Sequence, residues 1–110
     1  MAKDTTDLLQ GTLDLLILKT LSLEPMNGWA ISKRIRQVSN ENFDIKQGSL
    51  YPCLHRLEEK QFINSEWGIS ENNRRAKYYS LTKLGRKKLS TETEVWKRFS
   101  GNVELILHMS

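Results

Sequence analysis

The chain has 110 residues and a mass of 12.8 kDa, which allows one domain of ordinary size over residues 1–110. Hydrophobic residues make up 38% and charged residues 27%, a balance that excludes a disordered or low-complexity chain. No apolar run reaches the roughly 18 residues of a membrane span, and the first residues lack an apolar signal segment, so we expect a cytoplasmic protein with no membrane partner. One cysteine and two distant histidines exclude a disulfide framework and an internal zinc site, and no cofactor is expected.

The net charge of +4 is concentrated in the middle of the chain. Residues 46–90 contain 10 basic and 4 acidic residues, a net of +6, whereas residues 1–45 (5 and 6) and residues 91–110 (2 and 3) each carry −1. A basic segment between near-neutral ones is typical of a surface that binds a polyanion. A solvated basic face explains the charge equally well until the structure of this segment is considered.

The leucine-rich segment 8–23 predicts a first helix that ends before Pro25, since a residue that precedes proline avoids helical geometry. Leu9 begins a stripe with helical spacing, whereas Leu8 and Leu15 extend the apolar surface around the helix. A helix that is apolar over so much of its circumference must be covered on several sides. We therefore expect Leu8, Leu9 and Leu15 to contact a second subunit.

A second helix is predicted after Asn27, a favourable N-cap residue, with Ile31, Ile35 and Val38 on its core face. A third helix over residues 47–60 follows a turn-forming stretch.

The third helix has one apolar face and one face of hydrogen-bonding and basic side chains. Leu50, Leu54 and Leu57 form its core-facing stripe, which leaves the other face to solvent. Hydroxyl groups there can donate to phosphate oxygens, arginine can reach phosphate or guanine, and proline can contact a thymine methyl. The candidate DNA contacts on this face are Ser49, Tyr51, Pro52, His55 and Arg56.

Three of these positions also have a structural interpretation. Tyr51 can pack in the core, and His55 can be an ordinary surface residue. Arg56 can pair with Glu58 or Glu59 on its own helix.

Residues 62–69 and 75–81 read as two strands joined by a turn over residues 70–73, which predicts a β-hairpin. By the period of two, Arg75, Lys77 and Tyr79 share one face of the second strand. Clustered like charges destabilise an unliganded turn, which favours contact with a nucleic-acid backbone or minor groove. The candidate contacts of the hairpin are Asn73, Arg74, Arg75 and Lys77.

A last helix is predicted over residues 82–108, with Thr82 as its cap. Its length would be about 40 Å, long for so small a domain, so we expect its tail to pack on another chain. Gly101 is a position for a kink or a close approach. The candidate interface residues follow helical spacing and are Trp96, Phe99, Val103, Ile106 and Leu107.

The order helix, helix, helix, hairpin is that of a winged helix-turn-helix. The predicted fold is mainly α with a small β-hairpin wing, in which residues 8–81 form the DNA-binding core and residues 82–108 a dimerisation helix.

Four segments carry a family likeness, at residues 10–18, 27–31, 47–58 and 72–79. Together they resemble the PadR-type transcriptional regulators over nearly the whole chain, the Gly-Ser-Leu-Tyr-Pro run joined to the Arg-Arg-Ala-Lys-Tyr-Tyr wing being the specific combination. The resemblance implies a homodimeric repressor that binds a palindromic double-stranded DNA operator. Helix 47–60 would enter the major groove, and the wing over residues 62–81 would contact backbone or minor groove.

The resemblance also raises the question of an effector. Larger relatives continue into a separate helical domain that we do not expect here, and some compact relatives bind flat aromatic compounds between subunits through a tryptophan of the last helix. Trp96 stands at such a position, as a possible contact for a small aromatic effector or as an interface anchor.

Two other classes of function are alternatives to DNA binding. The same basic surface can serve a winged-helix module that binds an acidic protein. An enzyme is not expected, because Cys53 and His55 are two residues apart on a helix and point to different sides. The sequence also lacks a recognisable nucleophile–base set or glycine-rich phosphate loop.

Overall fold

The computed structural model describes residues 12–110, and within them the chain forms four helices and a three-stranded antiparallel sheet. The elements in chain order are α1 (Leu13–Leu21), β1 (Met26–Asn27), α2 (Gly28–Val38), α3 (Gln47–Glu59), β2 (Ile63–Ile69), β3 (Arg75–Leu81) and α4 (Lys83–Leu107). The mainly helical fold with a hairpin wing and a long last helix is confirmed. The predicted interface residues Leu8 and Leu9 lie outside the described residues.

The core is formed where α1, α2 and α3 meet the base of the sheet. Ile17 and Leu18 of α1, Ile31 of α2 and Leu54 of α3 are completely buried. The predicted stripe of α3 is confirmed, because its leucines at positions 50, 54 and 57 are all buried in this cluster.

The N-cap of α2 is as predicted, but one residue of its apolar face is not. The side-chain oxygen of Asn27 accepts a hydrogen bond of 2.8 Å from the backbone N–H of Ala30. Val38, expected in the core, is 72% exposed. It is the last residue of the helix, and the chain then reverses through Asn40 and Glu41, both with positive φ, so that this turn projects beyond the core.

The sheet has one strand more than the predicted hairpin. β1 pairs with the end of β3, with Met26 opposite Tyr79 and Asn27 opposite Tyr78, which gives the strand order β1-β3-β2. A strand of two residues is too short to show the alternation by which strands are recognised in a sequence.

The last helix is continuous and closely joined to the wing. The Thr82 hydroxyl oxygen accepts from the Gly85 backbone N–H at 2.9 Å and donates to the Gln61 carbonyl at 2.7 Å. α4 continues through Gly101 for 25 residues, about 37 Å at the usual rise, and no described atom outside the adjacent turns of the helix lies within 4 Å of the position of a Cβ at this glycine.

Candidate nucleic-acid interface

The outward face of α3 carries the side chains predicted there. Pro52 and His55 are exposed and Ser49 is half-buried. Tyr51 is 43% exposed, so it is not a core residue, and its ring crosses the start of α2. The approach is so close that a Cβ at Gly28 would lie 2.5 Å from the tyrosine hydroxyl oxygen. A glycine at this position therefore allows the tyrosine to lie between α3 and α2.

Arg56 has a partner that the sequence analysis missed. Its guanidinium lies 2.7 Å from the Asp14 carboxylate of α1, and not beside Glu58 or Glu59 as the structural alternative supposed. The negative charge of Asp14 raises the pKa of Arg56 above its ordinary value. About half of the arginine side chain remains exposed.

Cys53 completes this cluster from the buried side. Its thiol donates to the same Asp14 oxygen at 2.7 Å, and the Arg56 guanidinium lies 3.3 Å from the sulfur. Burial, followed by the hydrogen bond to Asp14, raises the pKa of the thiol to about 12. The cysteine is therefore a neutral hydrogen-bond donor at physiological pH. It links α3 to α1, and no chemistry of a reactive thiol is expected of it.

The tip of the wing presents two arginines to solvent. Asn73 adopts a φ of 58°, a conformation that asparagine tolerates, and the Ser70 N–H donates to the Arg74 carbonyl at 2.8 Å to close the loop. Arg74 and Arg75 are exposed, and neither forms an ion pair with any residue from 12 to 110.

Lys77, unlike the two arginines, forms an ion pair. It lies on the same face of β3 as Arg75, as predicted, but its ammonium is 3.7 Å from the Glu58 carboxylate of α3. Glu58 also accepts a hydrogen bond from the Ser65 hydroxyl of β2. These contacts fix the wing against α3 and reduce the positive charge that Lys77 can offer to a ligand.

A groove of about 780 Å³ separates the wing from the start of α2. Its walls combine aromatic rings with the cations of the wing, and they include Trp29, Tyr51, Trp67, Arg74, Arg75 and Lys77.

Two tryptophans of this groove were missed by the sequence analysis. Trp29 and Trp67 are 57% and 58% exposed, and each carries a cation over its ring. The Lys33 ammonium lies 4.6 Å from the centre of the Trp29 ring, and the Arg75 guanidinium carbon lies 4.4 Å from that of Trp67. The spacing of four residues between Trp29 and Lys33 on a predicted helix is a signal that could have identified the first pair.

The predicted interface residues of α4 form an exposed apolar surface in the single chain. The Trp96 and Phe99 rings are 6.2 Å apart, centre to centre, and both are exposed. Val103, Ile106 and Leu107 continue this surface toward the end of the helix, and Leu15 of α1 is half-buried.

Residues 12–110 contain no cluster of three or more metal-ligating side chains and no helix long and apolar enough to cross a membrane.

Three packed helices followed by a hairpin that borders a basic, aromatic groove define the winged helix-turn-helix class. The family model described as the transcriptional regulator PadR-like family matches residues 17–91, which is more than half of the chain. The chain belongs to this family of transcriptional regulators, which are DNA-binding proteins and not enzymes.

Relatives with known sequence or structure agree over nearly the whole length. An uncharacterized protein of Lysinibacillus sphaericus is 31% identical over 102 residues, covering 93% of this chain and 94% of that protein. A transcriptional regulator from Clostridium thermocellum superimposes with a TM-score of 0.82 at 33% identity, covering 89% of this chain and 95% of that one. A PadR family transcriptional regulator from Eggerthella lenta gives a TM-score of 0.82 at 29% identity, covering 96% of this chain and 90% of that one.

Proposed function

We propose that the protein is a homodimeric repressor that binds a palindromic operator, with α3 in the major groove and the wing on the backbone or minor groove. It would act in the bacterial cytoplasm, where the operator DNA lies. The observation that carries this proposal is the pair of unpaired arginines at the tip of the wing. Both arginines are exposed and find no carboxylate among the described residues, and a phosphate backbone would supply the negative charge that they lack.

On α3, the exposed face supplies the groups for base and backbone contact. The hydroxyls of Ser49 and Tyr51 can donate to phosphate oxygens, and Pro52 can contact a thymine methyl. His55 lies on the same face, one turn further along the helix.

Arg56 has a more restricted place in the proposed complex. Asp14 holds one edge of its guanidinium, and the exposed remainder can still reach a phosphate. Because the ion pair neutralises its charge, we expect Arg56 to contribute less to affinity than the arginines of the wing.

The proposed dimer rests on the apolar surface of α4. Exposed contiguous apolar patches of this kind mark interaction surfaces in proteins. A C2 dimer covers the same patch on both chains and places two α3 helices at a fixed separation, as a palindromic site requires. We propose that α4, with Leu15 beside it on α1, forms this interface.

The test is binding to the DNA upstream of the protein's own gene, measured by fluorescence anisotropy at several salt concentrations. If each subunit neutralises three or four phosphates, the affinity should fall by roughly 10³ to 10⁵ between about 50 and 200 mM salt. A random duplex of equal length is the control, and light scattering should give twice the mass of the 12.8 kDa chain. Salt-insensitive binding, or a monomer, would contradict the proposal.

The alternatives give different results in the same assay. A module for an acidic protein partner would not prefer the upstream DNA to random duplex or to other polyanions. An aromatic effector is favoured by one observation, the exposed Trp96 ring beside Phe99 in the proposed interface. Such a compound would quench tryptophan fluorescence in the wild type but not in Trp96→Leu.

A further inference from the structure

The exposed Trp67 ring lies under the guanidinium of Arg75, on the same face of the wing as Lys77. In the β2–β3 pairing Trp67 is opposite Lys77 and Ile69 is opposite Arg75, so the arginine reaches diagonally along the sheet to the indole. The distance of 4.4 Å from the guanidinium carbon to the ring centre is well within the range of a cation–π contact.

The strand that carries Trp67 is closely packed at this point. A Cβ at Gly68 would lie 3.0 Å from the Tyr78 ring, and the Tyr78 hydroxyl donates to the Ile69 carbonyl at 3.2 Å. These contacts hold the backbone of the hairpin, so the indole is presented from a fixed position.

A guanidinium that lies on a ring keeps its hydrogen-bonding edge free. Its N–H groups point outward in the plane of the group, where a phosphate or base oxygen can accept from them. A free arginine loses much of its rotamer freedom when it binds, whereas one already held by a ring has less to lose. Arg74, one residue earlier and with no ring contact among the described residues, lacks this support.

We propose that Trp67 is a positioning residue for DNA binding, which holds Arg75 in the orientation that meets the nucleic acid. This inference rests on the proposed function, since it assigns Arg75 to the DNA contact. It concerns only the wing, and it assigns to Trp67 an effect that passes through Arg75.

The test is a double-mutant cycle between Trp67→Leu and Arg75→Ala, read as Kd for the operator. Trp67→Leu keeps apolar bulk but removes the ring, and it should raise Kd about twofold to fivefold. Its salt slope should equal that of the wild type, because no charge is lost. In the Arg75→Ala background the same substitution should have no further effect, whereas with Arg74→Ala its effect should be fully retained.

Two more measurements separate positioning from folding. Trp67→Phe keeps an aromatic face and should recover much of the affinity lost in Trp67→Leu. In the wild-type protein without DNA, NMR relaxation of the side-chain Nε–H groups should show that Arg75 is more ordered than Arg74. Equal disorder of the two arginines would overturn the proposal. So would an equal loss of DNA affinity from Trp67→Leu in the presence and in the absence of Arg75. If Arg75→Ala alone leaves DNA binding unchanged, the assignment of the wing fails instead.

Discussion

The junction between the wing and α4 depends on a glycine, and we expect Gly85→Ala to be strongly destabilising. A Cβ there would overlap the Phe62 carbonyl oxygen and lie 2.7 Å from a methyl carbon of Leu81. The carbonyl cannot withdraw freely, because it accepts from the Thr82 backbone N–H at 3.1 Å and shares the Thr82 hydroxyl proton, at 3.0 Å, with the Gln61 carbonyl. The start of α4 must therefore move away from the sheet.

The cost follows from two losses. Overpacking at a close contact costs about 1–3 kcal/mol, and loss of the Thr82 cap costs about 1 kcal/mol, so we expect a total of about 2–4 kcal/mol. For a chain of 110 residues that corresponds to a fall in Tm of roughly 9–17 °C. Thermal unfolding followed by circular dichroism measures it.

The control is a glycine without a close neighbour. Gly48 lies in the first turn of α3, and no side chain or backbone outside its own turn lies within 4 Å of the position of a Cβ there. Gly48→Ala should leave Tm unchanged or raise it slightly, since alanine favours the helix. If Gly85→Ala and Gly48→Ala unfold at the same temperature, the close packing at the wing–α4 junction has been misjudged.

Three further substitutions test the other contacts. The pKa of Cys53 is raised to about 12 in the folded protein, so the contribution of the thiol to stability is complete below about pH 9 and declines above that pH, where the thiol of the unfolded chain ionises. Between pH 8 and pH 10 the wild type should therefore lose about 1.4 kcal/mol of its free energy of unfolding, measured with urea. Cys53→Ser should not show this loss. Asp14→Asn should cost about 0.5–1.5 kcal/mol by breaking the partly exposed pair with Arg56, and a cost that does not shrink in 1 M salt would contradict an ionic origin. Phe99→Lys should shift the proposed dimer toward monomer in light scattering, whereas Lys97→Ala, at an exposed residue nearby, should not. Equal masses of the two variants would contradict the proposed role of α4 in the interface.

Features that depend on neighbouring residues were predicted from the sequence. Asn27 and Thr82 cap their helices through contacts three residues away, and the Leu50 stripe of α3 follows from helical periodicity. The turn at Asn73 was recognised for the same reason, because the residue types of a tight turn act locally.

Features that depend on residues distant in the chain were not predicted from the sequence. The partner of Arg56 is Asp14, which is 42 residues earlier in the chain, so the arginine could be assigned only to the nearby glutamates. The contact of Arg75 with Trp67 depends on the register of the hairpin, which turn geometry sets and composition does not reveal. For Val38 the periodicity was correct, but the helix ends there, beyond the core that would have covered the side chain.

Only Thr82 separates β3 from α4, and its hydroxyl proton lies between the carbonyls of Gln61 and Phe62, within hydrogen-bonding distance of both. In the dimer that we propose, this one-residue connection joins the helix that sets the distance between subunits to the hairpin that contacts DNA, and it gives the two elements little freedom to move separately. One extra base pair between half-sites shifts one of them by about 3.4 Å and rotates it by about 35°. A rigid connection cannot absorb that rotation, so operators with altered spacing would be rejected even when every contacted base is unchanged.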